Sequence, residues 1–195
     1  MNMKKRMLSI VLSGAMAVST AVSAGSFSAF AVAQCVAYSG SNVNDQDYVQ
    51  WSDTVKSYLT VCDNGNYMRV QSGAIEGKLL VEYYSSDFEP LSTKLIDNEL
   101  PIFGAFYDSG NNYYVLSGQE NPKQNDSLEV FRITKYDKNW NKIKSCGLYG
   151  ANTTVPFDAG SARMTHSGDH LLVRTCHEMY KSSDGNNHQA NVTIE

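Results

Sequence analysis

Charge is scarce in this chain, and what there is does not cluster in its body. Asp, Glu, Lys and Arg make up 18% of the residues, and the formal net charge is -4. Nucleic acid or an anionic membrane surface needs a basic patch, so neither is an expected partner. A sustained helical period is also missing beyond the N-terminal leader, which argues against an α/β architecture. There is no CxxC pair, P-loop, GxGxxG, HExxH or nucleophile elbow, so the motifs predict neither a metal site nor a cofactor. The acidic and amide residues Asn42, Asn44, Asp45 and Asp47 lack the Gly and Glu that an EF-hand loop requires, and read as a solvated loop.

What is present begins with a leader. Lys4-Lys5-Arg6 precede an apolar stretch from Met7 to Val22, and small-x-small sites follow at residues 22–24, 29–31 and 31–33. This pattern predicts a Sec-type signal peptide over residues 1–33, with cleavage between 24 and 33. The mature chain is then exported and extracellular, with no membrane anchor. Gln34 is too large to precede a lipidated cysteine. Four cysteines remain after cleavage, namely Cys35, Cys62, Cys146 and Cys176. An even number in an exported chain permits two disulfides with three connectivities. The sequence-local choice joins Cys35 to Cys62 and Cys146 to Cys176; buried free thiols are the alternative.

The body of the chain, 34–195, carries a repeat. GNYMRVQSG (65–73), GNNYYVLSG (110–118) and GDHLLVRTC (168–176) align without a gap. In each, the leading Gly sits in turn chemistry between two strand-like runs, as a tight hairpin demands. On this alignment His166 and Asp169 fall in the turn. A second element follows two of the hairpins. Leu80-Val81-Glu82-Tyr83-Tyr84 leads into a turn bearing Phe88, and Phe131 to Tyr136 leads into a turn bearing Trp140. One unit is therefore a hairpin, a third strand ending in Tyr, and a return strand. Four antiparallel strands at a period near 52 residues (Tyr84 to Tyr136) predict an all-β chain of β-propeller blades. About three blades are present, and the last lacks its return strand. Because three blades cannot close a ring, the chain is expected to be part of a longer protein or a truncated product. A compact three-sheet domain is the competing expectation.

Polar residues at the ends of the repeated strands supply the candidate site. The second and third units leave their strands through Gln119-Glu120 and His177-Glu178, each before a long loop. Loops at one propeller rim are the expected ligand site, with Glu120, Asn121, His177, Glu178 and His188 as its residues. Arg69, Arg132, Arg163 and Arg174 lie in predicted strands and suit an anionic sugar or carboxylate if they line a channel. Tyr83, Tyr84, Tyr113 and Tyr114 suit stacking on sugar rings, although adjacent residues point to opposite faces and at least half must pack between blades.

The aromatic turn and the Gly hairpin resemble the blades of secreted bacterial β-propellers of the broad kelch, galactose-oxidase-like or quinoprotein-like kind, over roughly residues 54–195. The paired glycines of kelch repeats and the Trp docking motif of quinoproteins are absent, so the resemblance implies architecture and carries over no catalytic residue. The expected function is an extracellular binding or interaction module for a carbohydrate, a cell-wall polymer or a protein. The alternative is a polysaccharide lyase or hydrolase, which needs two ionisable groups facing one cleft. A nonfunctional truncated product is the third reading.

Overall fold

The structure is a computed structural model that describes residues 54–195 apart from 159 and 161. The leader, its cleavage sites and Cys35 lie outside the described residues. Twelve strands are present among them. They are β1 (Ser57–Val61), β2 (Tyr67–Ile75), β3 (Lys78–Tyr84), β4 (Pro90–Asp97), β5 (Ile102–Asp108), β6 (Tyr113–Gly118), β7 (Glu129–Tyr136), β8 (Lys142–Tyr149), β9 (Thr153–Pro156), β10 (Arg163–Ser167), β11 (His170–Met179) and β12 (Gln189–Ile194). They form three antiparallel four-stranded sheets in chain order, β1-β2-β3-β4, β5-β6-β7-β8 and β10-β11-β12, with β9 added to β11. The protein is all-β, built from propeller-type blades.

The third sheet departs from the simple unit. β10 pairs with residues 170–174 of β11, whereas β9 pairs with residues 177–179. The first lane is thus shared end to end by two short strands. The connection from β8 to β10 contains β9.

The hairpin glycines do what the repeat predicts, since Gly65, Gly110 and Gly168 have φ of 79°, 87° and 56°. The hairpins nevertheless differ in length. Val61 pairs with Tyr67, Asp108 with Tyr113, and Ser167 with His170, so residues 62–66, 109–112 and 168–169 form the three turns. His166 is therefore a strand residue, a correction to its expected place in the turn. The unequal turns also shift the repeat relative to the ladders. Val70 faces the second sheet, while its aligned partner Val115 faces back towards the first. A one-residue slip moves a side chain to the opposite face.

A five-residue turn recurs at 62–66, 85–89, 137–141 and 182–186. In each, the first N–H donates to the fifth carbonyl and the fourth N–H to the first carbonyl, at 2.7–3.0 Å. The fourth residue is Gly65, Phe88, Trp140 or Gly185, all with positive φ. Two of the four are aromatic, where the left-handed region costs about 1–2 kcal/mol. For Trp140 the packing explains that choice. Its ring is 4% exposed and lies 4.8–5.8 Å from the rings of Tyr113, Tyr136 and Phe106. Its Nε1–H donates to Tyr83 Oη of the first sheet at 3.0 Å.

The sheets stack face to face in chain order, with the second buried on both sides. Met68, Val70, Leu79 and Val81 of the first sheet pack against Phe103, Phe106, Tyr113 and Val115. On its other face, Ala105, Leu116 and Phe131 meet Phe157, Ala162, Val173 and Ile194 of the third-sheet segment. Alternation along β6, together with the irregularity between Phe103 and Ala105 on β5, lets the same strands serve both faces.

The predicted arginines do not share a channel. Arg69 lies 3.8 Å from Glu82. Arg163 and Arg174 are exposed partners on β10 and β11. Arg132 binds Glu129 through Nε at 2.8 Å and Glu99 at 3.0 Å, and Lys142 reaches the same Glu99 oxygen at 2.6 Å. Burial pushes the Glu99 carboxyl up, but hydrogen bonds from Lys142 and Arg132 outweigh it and hold the group below its ordinary value. Among the described residues Cys62, Cys146 and Cys176 form no disulfide with one another, and the expected Cys35–Cys62 pair lies outside them. Cys146 is exposed on β8, whereas Cys176 lies on β11 of a different sheet and directs its Sγ to Asn191 Oδ1 at 3.3 Å.

Candidate functional site

The five rim candidates derive from β6, β11 and the loops beyond them, yet they do not converge on one cleft. Asn121 is 1% exposed. Its backbone N–H donates to Thr154 O at 2.7 Å, its Nδ2 donates to Asn125 O and Tyr180 Oη at 3.1 and 2.9 Å, and its Oδ1 accepts from Asn125 N at 2.8 Å. It fastens the 121–125 loop to β9. His177 and Glu178 are neighbours on β11 and point to opposite faces. His177 is buried against Thr153, while Glu178 accepts from Thr154 Oγ1 at 2.6 Å. Glu120 is exposed. His188 is an exposed partner of Asp184 at 2.8 Å. Hydrogen bonds from Ser182 first, then Asn186 and His188, hold the Asp184 carboxyl well below the usual carboxylate range. These side chains brace loops, and an acid–base pair built from Glu120, His177 and Glu178 loses its basis.

His177 instead makes stability depend on pH. Thr153 Oγ1 donates to Ala151 O at 2.9 Å and lies 2.7 Å from His177 Nδ1. A hydroxyl has one proton, so Nδ1 must carry the hydrogen in this pair. Burial holds the imidazole pKa below its usual value of 6.5. The neutral form therefore belongs to the fold, and the unfolded chain takes up the proton first as pH falls. The stability associated with this group is present above pH 6.5 and is lost as pH falls through the lower folded value. Thermal midpoints measured between pH 7.5 and 5 should fall in the natural protein and fall less in His177→Gln.

At the other end of the sheets, the hairpin turns of the second and third units border an open cleft. It encloses about 240 Å³ and is lined by Ser109, Asn111, Asn112, Tyr114, Lys135, His166, Asp169 and His170, among others. Tyr107 on β5 and Tyr114 on β6 form a tilted pair, 6.4 Å between centroids. Tyr107 Oη lies 2.7 Å from His166 Nδ1 across the two sheets. Lys135 Nζ is 5.8 Å from the Tyr114 centroid, and His170 Nδ1 meets Glu195 Oε1 at 2.7 Å. A second cavity of about 370 Å³ adjoins along Tyr114, Lys135 and Leu171. The corresponding cleft between the first and second sheets, about 430 Å³, is bordered by Tyr83, Tyr113 and Lys138. Trp140 fills the interface beside it, because the β7–β8 turn folds towards the first sheet and leaves the side facing the third sheet open.

Of the tyrosines singled out from sequence, Tyr114 lines the open cleft, while Tyr113 is core and Tyr83 binds Trp140. Tyr84 pairs with Tyr67 across β2 and β3. Tyr107 and His166 were not among the expected site residues. Their partnership spans 59 positions and two sheets, for which a single sequence carries no signal. Among the described residues no group of three or more His, Cys, Asp or Glu could hold a metal ion.

No family model matches the sequence, and no curated protein matches it. Among solved structures, a GH43 beta 1,3 galactosidase is similar at a TM-score of 0.41 and 13% identity, over 72% of this chain and 31% of that one. The chain thus spans under a third of the length of the galactosidase it resembles.

Proposed function

We propose that this protein is an exported binding module of the propeller type, and that it takes a carbohydrate in the cleft between the second and third sheets. The observation that carries this reading is the side-by-side arrangement of an aromatic surface and polar groups. Tyr114 is half-buried in the cleft wall, with Asn112, Lys135, His166 and Asp169 around it. A sugar ring presents C–H bonds on one face and hydroxyls around its edge. The first suit a tyrosine ring, and the second suit amide, carboxylate, imidazole and ammonium groups. No step of bond cleavage is needed for such a role.

The test is equilibrium binding of soluble oligosaccharides to the mature chain and to Tyr114→Ala. Losing the ring should weaken binding at least about tenfold, equivalent to roughly 1.4 kcal/mol. Glu120→Gln should bind as the natural protein does. Equal affinity of the Tyr114→Ala protein, or loss on changing Glu120 alone, would place the site elsewhere.

A further inference from the structure

Building on a carbohydrate in the cleft between the second and third sheets, we propose that the ligand is a polysaccharide chain. Its next stretch lies in the cleft of about 430 Å³ between the first and second sheets. Both clefts open at the hairpin-turn end of the sheets, on either side of the turn at 109–112. Stacked sheets lie about 10 Å apart, so two clefts flanking one sheet are separated by about that distance. A short oligosaccharide spans it.

The clefts are built alike, because one strand serves both. Tyr113 and Tyr114 are adjacent on β6 and point to opposite faces, so each cleft receives one ring. Each ring has a lysine beside it. Lys135 Nζ stands 5.8 Å from the Tyr114 centroid, and Lys138 Nζ stands 4.4 Å from that of Tyr113. Each cleft is also edged by amides of a hairpin turn, Asn64 and Asn66 in one and Asn111 and Asn112 in the other. Tyr113 itself is 4% exposed. The apolar surface of the cleft between the first and second sheets therefore comes from half-buried Tyr83 and from Leu91, 49% exposed on β4. Such a surface suits the C–H face of a sugar ring, and the amides and ammonium suit its hydroxyls.

The ridge between the clefts lets a chain cross. It consists of Ser109, Gly110, Asn111 and Asn112, none of them bulky, and Asn111 at its tip is exposed. The ridge is also held firm. Ser109 Oγ donates to Asn112 O at 3.0 Å, and Asp108 Oδ1 accepts from Gly110 N at 2.8 Å and from Lys138 Nζ at 2.7 Å. Lys138 thereby ties the ridge to the β7–β8 turn and keeps its ammonium at the cleft wall. A chain seated in one cleft holds its own continuation at high effective concentration beside the other, so affinity grows with chain length.

Length ladders of cello-, xylo- and chito-oligosaccharides, each from disaccharide to hexasaccharide, are the probes, titrated into the mature chain by isothermal calorimetry. In at least one ladder the hexasaccharide should bind at least about tenfold tighter than the disaccharide. Ser92→Arg fills the cleft between the first and second sheets from an exposed position on β4. It should abolish that gain while leaving disaccharide affinity unchanged. Leu91→Ser, a milder change on the apolar wall, should also reduce the gain. Tyr114→Ala should weaken the disaccharide and the hexasaccharide alike. Equal affinity of the two lengths, or a length gain that survives both β4 substitutions, overturns the polymer site and leaves the single cleft standing. If no ladder binds, the cleft reading falls and this proposal with it.

Discussion

Replacing Trp140 with alanine should lower the free energy of unfolding by about 3–5 kcal/mol, the range for emptying a buried aromatic site. The indole touches three rings of its own sheet and donates to Tyr83 of the first, so it is packing and polar link in one side chain. Its removal leaves a void between two sheets and a hydroxyl without its donor. Phe88 provides the internal control. It occupies the same turn position with the same φ of 63°, stacks on Tyr67 at 4.5 Å, and is 60% exposed. Phe88→Ala should cost only about 0.5–1.5 kcal/mol, the worth of one aromatic pair. Chemical denaturation of both variants checks the difference. Equal losses would mean that the turn geometry, and not the packing, sets the value of the aromatic residue.

Gly104→Ala is expected to destabilise by about 1–3 kcal/mol or more, for an overpacking reason. A Cβ at that position would stand 2.3 Å from Phe157 Cζ, and one at Gly118 would stand 2.8 Å from Phe157 Cε2. The Phe157 ring therefore lies on the bare backbone of β5 and β6, with its edge against Phe131 at 5.4 Å. Phe157 also has φ of 61°, so its backbone is strained in order to place the ring there. Gly104→Ala combined with Phe157→Leu should lose less than the sum of the two single losses, because the smaller side chain makes room for the methyl group. Strict additivity in denaturation experiments would show that Phe157 and Gly104 do not share this contact. The glycine of the hairpin turn behaves differently. A Cβ at Gly110 meets nothing within 4 Å, so its φ of 87° alone governs that substitution.

These contacts also mark what a reader of the sequence could and could not find. The Gly turns at 65, 110 and 168 and the aromatic turns at 88 and 140 are local in the chain, and they disclosed the four-stranded unit. β9 escaped notice because Thr153–Pro156 is four residues long and ends in proline, the signature of a loop as much as of a short edge strand. Val115 faces the first sheet while its aligned partner Val70 faces the second, because one hairpin turn is a residue shorter than the other, which a gapless alignment absorbs silently. The site was harder still. Asn121 and His177 look like free polar groups in the sequence, but hydrogen bonds across the β6–β9–β11 junction bury them. His166 looked like turn, and only the stacking of the third sheet on the second brings it to Tyr107.

The binding cleft stands or falls on location. Amide chemical-shift mapping of the labelled protein during titration with a panel of soluble oligosaccharides reads that location directly. Saturable shifts are expected at residues 107–114, at Lys135 and at residues 166–171 for at least one sugar. Shifts confined to residues 119–125 and 177–188, or no saturable response from any sugar, would contradict that placement.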